Sequence, residues 1–319
     1  MAISGVINGV RRVDLRVLLA FAAIYLLWGA TFLAIRIAVL EVPPLFGAGL
    51  RFLIAGGLLY AFMRLRGQPS PSAVEWRSIT VLALCMFVAT YAALFWAEQY
   101  VPSGIAAVIE ATLPLTTVAL EVLVFRQQPF SWRMAAAVAL GFCGVAVLLA
   151  TNERQSIPAL PCLVILVAGI AWSLGAVLTR SMPRPRSAPL TAGAQMLLGG
   201  AVLLALSLAM GELHSFPHIS VRAGLALSYL IVAGSLVGFT AYVWLLTRMP
   251  ATRVASHAYV NPLVAVALGY FVAGEALTAR TLLAAVLVVA GVFLILTTPS
   301  AQPKPHPSPS PRRSPVWQS

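Results

Sequence analysis

Ten runs of about twenty apolar residues follow one another with only short connections, and this succession constrains the chain more than any motif in it. They lie at approximately 17 to 39, 44 to 63, 78 to 97, 103 to 125, 132 to 150, 161 to 179, 189 to 210, 222 to 246, 253 to 273 and 280 to 298. At about 1.5 Å of rise per residue each run matches the hydrocarbon core of a bilayer, roughly 30 Å. Backbone polar groups in lipid must be satisfied within their own segment, so the runs are helices. The predicted fold is an all-α integral membrane protein of ten transmembrane helices with the lipid bilayer as its solvent. Only 9% of the residues are charged, against roughly 25% in soluble domains, and no connection has room for a soluble domain. Any activity must be built from the helices.

The net charge is +12, but the basic residues sort by loop instead of forming a nucleic-acid-binding surface, and no nucleic acid is expected. Alternate connections hold Arg11, Arg12, Arg16, then Arg64, Arg66, Arg77, then Arg126, Arg133, then Arg180, Arg184, Arg186, then Arg248, Arg253, and finally Lys304, Arg312, Arg313. The intervening loops hold only Arg154, Arg222 and Arg280, with Arg36 and Arg51 inside helices. Positive charge marks the cytoplasmic side, so both termini are expected there, in a multi-pass protein of the cell (inner) membrane. Cys85, Cys143 and Cys162 lie in apolar runs without metal-ligand spacing and read as small buried packing residues.

The chain also repeats itself. Ile24 to Arg36, IYLLWGATFLAIR, lies over Ala168 to Arg180, AGIAWSLGAVLTR, at a shift of 144 that sets Trp28 on Trp172. AGLRFLIAGG from Ala48 lies over AGAQMLLGG from Ala192, with Arg51 replaced by Gln195. Residues 102 to 125 and 250 to 273 repeat at a shift of 148, matching Pro102 with Pro250 and Pro114 with Pro262. Two five-helix units result, and because five is odd the second enters the membrane from the opposite side as an inverted repeat. The expected divisions are a cytoplasmic segment 1–16, a first repeat 17–150, a second repeat 151–298, and a disordered Pro/Ser-rich cytoplasmic tail 299–319.

WGATFLAIR, LRFLIAGG, AEQYVPSGIAA and AYVNPLVAVALGYFVAGE (Ala258 to Glu275), in this order, resemble the EamA family of the drug/metabolite transporter superfamily. The resemblance spans about Leu18 to Leu296. It implies two inverted bundles working by alternating access around a cavity lined chiefly by helices one, three, four, six, eight and nine, with helices five and ten peripheral. It implies a small-molecule substrate without naming one: members export amino acids, other metabolites or drugs, and relatives carry sugar phosphates. The chain departs from the family pattern at Val124 to Phe130, VFRQQPF, where a pair like Gly274-Glu275 is usual, and at Glu110, where a small or apolar residue is usual. Glu275 itself reads as a helix-end or loop contact.

Arg51 and Glu110 are the sharpest candidate pair. Each lies seven residues after the start of its helix, about 10 Å deep by helical rise, and both are uncharged in the second repeat, at Gln195 and Ala258. A lone intramembrane carboxylate needs a partner or water, so the readings are a structural ion pair, a proton- or substrate-coupled carboxylate, or a solvated site at the cavity mouth. His257 and Asn261 sit one turn apart before Pro262, which fits either two polar groups facing a cavity or a helix-helix hydrogen bond. Trp28 with Thr31, and Trp172 with Thr179, suit the wall of a site for amphipathic molecules. Tyr91, Trp96, Tyr242 and Trp244 are weaker candidates, and Trp76, Tyr100 and Trp132 at span ends read as interfacial anchors. Small residues in the fifth and tenth runs, Ala137, Gly141, Gly144, Ala285 and Gly291, serve either packing within the chain or a homodimer.

No phosphate-binding glycine loop occurs, and no cofactor or metal is expected. The expected function is export of small amphipathic metabolites, amino acids or related compounds, or drugs. A facilitative exchanger of sugar phosphates or other metabolites is the alternative. A membrane scaffold or membrane-embedded enzyme is more remote, since an enzyme needs a nucleophile with a base or a ligand cluster.

Overall fold

The structure is a computed structural model that describes residues 14–126, 130–149, 158–179, 181–215, 219–246, 248, 254 and 257–296. The tail 299–319 and residues 1–13 lie outside it. Among the described residues no strand occurs, and ten apolar helices account for the fold: α1 Leu15–Val39, α2 Pro44–Leu65, α3 Ala73–Ala97, α4 Ser103–Val124, α5 Trp132–Leu149, α6 Ala159–Thr179, α7 Ala188–Ala209, α8 Val221–Leu245, α9 His257–Ala273 and α10 Ala279–Leu296. Seven are long and apolar enough to cross a membrane, and α5, α9 and α10 carry shorter apolar stretches.

Local chemistry sets the ends. α3 starts five residues before the apolar run because Ser72 and Glu75 form a capping box, in which the Glu75 N–H donates to Ser72 Oγ at 3.3 Å and the Ser72 N–H to Glu75 Oε2 at 2.7 Å. Gly67, Gly211 and Gly274 follow α2, α7 and α9 with positive φ, the left-handed backbone that closes a helix. The position equivalent to Gly274 after α4 is Arg126, with φ of 51°, so the missing glycine of the first repeat leaves a bulky residue in that conformation.

The two repeats meet at α2 and α7, and the contact is self-complementary. Gly49 packs on Leu204 and Gly193 on Tyr60, while Gly56 packs on the backbone of Leu197 and Gly200 on the backbone of Leu53. Each pair maps onto the other at the shift of 144, as a pseudo-two-fold axis requires. A side chain at either Gly56 or Gly200 would enter the backbone of the facing helix. α5 and α10 pack chiefly on each other: Gly144 faces Ala284 and Val288, and Gly291 faces Ala137 and Gly141. Gly144 and Gly291, two of the small residues singled out in the sequence, thus make packing contacts within the chain. Cys162 is buried as expected, but Cys85 is half-buried and Cys143 is exposed on α5, so the reading of all three as buried is corrected.

Four helices are widened into π-helical turns, at 23–27 in α1, 84–89 in α3, 120–124 in α4 and 230–239 in α8. α4 is also broken at Ala111 and Thr112, directly after Glu110. Pro114 has no N–H to give the carbonyl of Glu110, and its ring crowds that turn.

Candidate functional site

The widened turns expose backbone groups that hold the centre of the bundle together. Tyr229 donates its hydroxyl to Leu27 O in the α1 turn at 3.0 Å, and Trp28 donates Nε1 to Gly234 O in the α8 turn at 3.0 Å. In the orientation that satisfies its surroundings, the Asn261 amide donates to Ile24 O and Tyr25 O of α1 and to His257 O, at 3.1 to 3.2 Å. Asn261 therefore acts as a helix-helix tie between α9 and α1. Gly238 leaves space for Trp28, whose Nε1 stands 2.5 Å from where a Gly238 Cβ would be, and Gly234 leaves space for Thr31 and for the Arg51 guanidinium, whose Nη2 stands 3.0 Å from where its Cβ would be.

Around these ties runs a ladder of rings. His257 lies 5.2 Å from Trp28 and 5.9 Å from Tyr242, nearly parallel to the latter. Trp28 meets Tyr242 at 5.0 Å and Phe239 at 6.1 Å, and Phe239 meets Trp172 at 6.5 Å. Trp172 meets Tyr91 at 6.3 Å, and Tyr91 meets Phe52 at 4.5 Å. The ladder ends on Arg51, whose guanidinium carbon sits 4.7 Å from the Phe52 ring centre and 5.2 Å from that of Tyr91. Trp28, Tyr91, Trp172, Tyr242 and His257 are each half-buried although they touch rings from other helices. Behind them Phe52, Phe87 and Phe95 are buried at 0 to 1% exposure. These rings thus keep accessible surface while packing across helices.

Arg51 and Glu110 do not form the expected ion pair. Arg51 Nε donates to Ser235 Oγ on α8 at 2.8 Å, Nη1 has no partner, and among the described residues no ion pair joins it to Glu110. The break in α4 falls directly after Glu110, which is buried with Oε1 unpartnered. Tyr91 stands within electrostatic range of both groups. Three further candidates have the following partners. Thr31 spends its hydroxyl on Trp28 O at 2.6 Å, Thr179 on Gly175 O at 2.8 Å, and Trp96 packs on Tyr100 at 5.2 Å.

One end of the bundle, where α2, α4 and α8 begin, is tied together by carboxylates. Glu275 accepts from Ser103 N at 2.8 Å, Ser103 Oγ at 2.9 Å and Gly104 N at 3.1 Å, capping α4, and so is the helix-end contact expected. Glu212 accepts from Leu45 N at 3.2 Å and Phe46 N at 2.9 Å, capping α2. Glu41 accepts from Ser220 N at 2.7 Å and Ser220 Oγ at 2.8 Å, ahead of α8, and these bonds, with Arg222 nearby, hold its carboxyl below the usual range. Each satisfies helix-terminal N–H groups with an anion from another element. At the opposite end α3, α5 and α7 are capped locally by Ser72, Ser131 and Ser187. Bonds between elements thus latch one end, while the three caps named at the other are local.

Sequence reasoning missed Glu98. It follows α3 in the connection to α4, is 0% exposed, and neither carboxylate oxygen has a partner. Its own carbonyl accepts from Arg36 Nη1. A glutamate at the end of a run reads as an interfacial charge, and its enclosure comes from α1, α4 and the α9–α10 connection. Ser235 was missed because it lies in a stretch of small residues that reads as packing.

The sequence model of the EamA-like transporter family matches residues 15–150 and again 159–297. The Escherichia coli K12 inner membrane transporter YedA is 36% identical over 280 residues, covering 86% of this chain and 89% of its own. A probable amino-acid metabolite efflux pump of Salmonella typhimurium is 29% identical, covering 85% and 91%. A solved crystal structure superposes with a TM-score of 0.61 at 20% identity, over 88% of this chain and 97% of that one, a likeness of fold alone. With both halves matched and each half built of five helices about one pseudo-two-fold axis, the chain belongs to the EamA-like transporter family.

Proposed function

We propose that the chain exports small amphipathic metabolites, amino acids or related compounds, or drugs, across the inner membrane by alternating access. The ladder of half-buried rings ending on the Arg51 guanidinium carries this reading. Aromatic walls bind an apolar body with little directional demand, and the unpartnered Nη1 of Arg51 offers a donor to a carboxylate or similar acceptor. The relatives named as amino-acid metabolite efflux pumps favour the same class. Positive charge on the connections at the locally capped end assigns that end to the cytoplasm. On this reading the latched end is the external one.

The test is release from proteoliposomes loaded with mixed amino acids, sugar phosphates and cationic drugs, read by mass spectrometry with and without a pH gradient. The expected result is selective release of one class, reduced at least about tenfold in Trp172→Ala, the loss of one large buried contact being worth more than 1.4 kcal/mol. Selective release that is indifferent to Trp172→Ala and Arg51→Met would move the binding site away from the ladder.

A further inference from the structure

We propose that Glu98 is a proton-binding site sealed by closure of the latched end, so that opening this end releases a proton and binding one favours closure. The observation is an enclosure without a counter-charge in contact. Glu98 has no accessible surface, both carboxylate oxygens lack a hydrogen-bond donor, and among the described residues no basic group lies in ion-pair contact with it. The charged groups facing it are Arg36 from α1, Arg51 from α2, Glu110 from α4 and Glu275 from the α9–α10 connection. Both cations are committed elsewhere, Arg36 to the Glu98 backbone carbonyl and Arg51 to Ser235 and to the faces of Phe52 and Tyr91. The remaining two facing groups are carboxylates. An ionised carboxylate is expensive in such surroundings, whereas a protonated one is neutral. In keeping with this, burial first and the Glu275 charge second push the Glu98 carboxyl well above the usual range, with Arg36 pulling the other way.

The seal lies close by in the chain. Glu98 is five residues before Ser103, whose N–H and hydroxyl are held by Glu275, and Val101 between them is fully buried. Lifting the α9–α10 connection from α4 would let water reach Glu98, and the proton would pass from the carboxyl to that water. The reverse step returns one proton from the external solution. By linkage, whatever the open form loses in proton affinity appears as a pH-dependent bias towards the closed form. This coupling rests on the alternating-access reading; the occupancy of Glu98 by a proton does not.

Two measurements test it, both on the full-length protein without substrate. Infrared difference spectra between acidic and alkaline medium should contain a protonated-carboxyl component that Glu98→Gln removes, Glu98→Asp shifts and Glu110→Gln leaves in place. The second uses a Val101→Cys reporter in a background with the native cysteines replaced. Its labelling by a membrane-impermeant maleimide from outside, divided at each pH by that of the same protein unfolded so that thiol ionisation cancels, should rise severalfold from acidic to alkaline medium and become independent of pH in Glu98→Gln. A band unchanged by Glu98→Gln overturns the proton site, and normalised labelling indifferent to pH in the parent overturns its link to the latch. Because neither readout uses a substrate, a failed release assay is told apart from both.

Discussion

The guanidinium of Arg51 and the hydroxyl of Ser235 bridge α2 and α8 at 2.8 Å, with Ser235 only 1% exposed. The bond holds the end of the aromatic ladder in register, since Arg51 is also stacked on Phe52 and Tyr91. Ser235→Ala leaves a buried charged donor unpaired, an expected loss of about 1 to 3 kcal/mol, read as a lower thermal midpoint in detergent. Arg51→Lys keeps the charge but loses the planar fork and the stacking. It is expected to reduce transport more than Ser235→Ala while changing the midpoint less.

The α2–α7 contact predicts a symmetric pair of lesions. Gly56→Ala and Gly200→Ala each drive a methyl group into facing backbone, and backbone cannot swing aside as a side chain can. Each is expected to cost about 1 to 3 kcal/mol. The double variant should cost less than the sum, because one separation of the helices relieves both clashes. Gly224→Ala on α8 is the control, since nothing lies within reach of its Cβ and its helix gains propensity. Thermal midpoints of the four proteins, measured side by side, check the scheme.

The spans and their pairing into repeats were legible because each rests on a period or a repeated string. The ladder was legible in part: Trp28, Trp172, Tyr91 and Tyr242 stand inside their spans, where aromatic residues have no interfacial role. Which of them touch depends on the widened turns of α1 and α8, and no sequence period announces a turn of that kind. The Arg51–Glu110 pair failed for a related reason. Equal depth was correct reasoning from helical rise, but the rotation of α2 sends Arg51 to α8, where a serine that looked like a packing residue receives it.

Arg126 offers a stabilising change. It holds φ at 51° directly after α4, at the position where the second repeat has Gly274. A non-glycine residue in that conformation costs about 1 kcal/mol or more. Arg126→Gly is expected to raise the thermal midpoint, whereas Gly274→Arg should lower it by a comparable amount.

The Glu41 latch has a defined pH window. Its carboxyl titrates below its ordinary value of 4.5 because the Ser220 N–H and hydroxyl favour the ionised form, with Arg222 adding to them. The bonded form is therefore complete above 4.5 and is lost as pH falls through the lower folded value. Ser220→Ala, which keeps the N–H bond but removes the hydroxyl, should move the Glu41 titration upward. A carbon-13 carboxyl titration in the two proteins reads the shift directly.

Glu98 should impose the opposite slope. Its folded pKa is raised, so it adds no penalty below the ordinary carboxyl value of 4.5. Above that value the unfolded chain gives up the proton while the folded chain keeps it. Stability then falls as pH rises, by roughly one to two kcal/mol per unit at most, until the folded pKa is reached. Glu98→Gln removes the ionisable group and retains its shape, so the variant should match the parent in mild acid and exceed its thermal midpoint increasingly towards neutral and alkaline pH. Midpoints that fall below the parent's at every pH would mean that the carboxyl makes a bond the glutamine cannot replace, and the enclosure would then be a packed structural contact instead of a site that holds a proton.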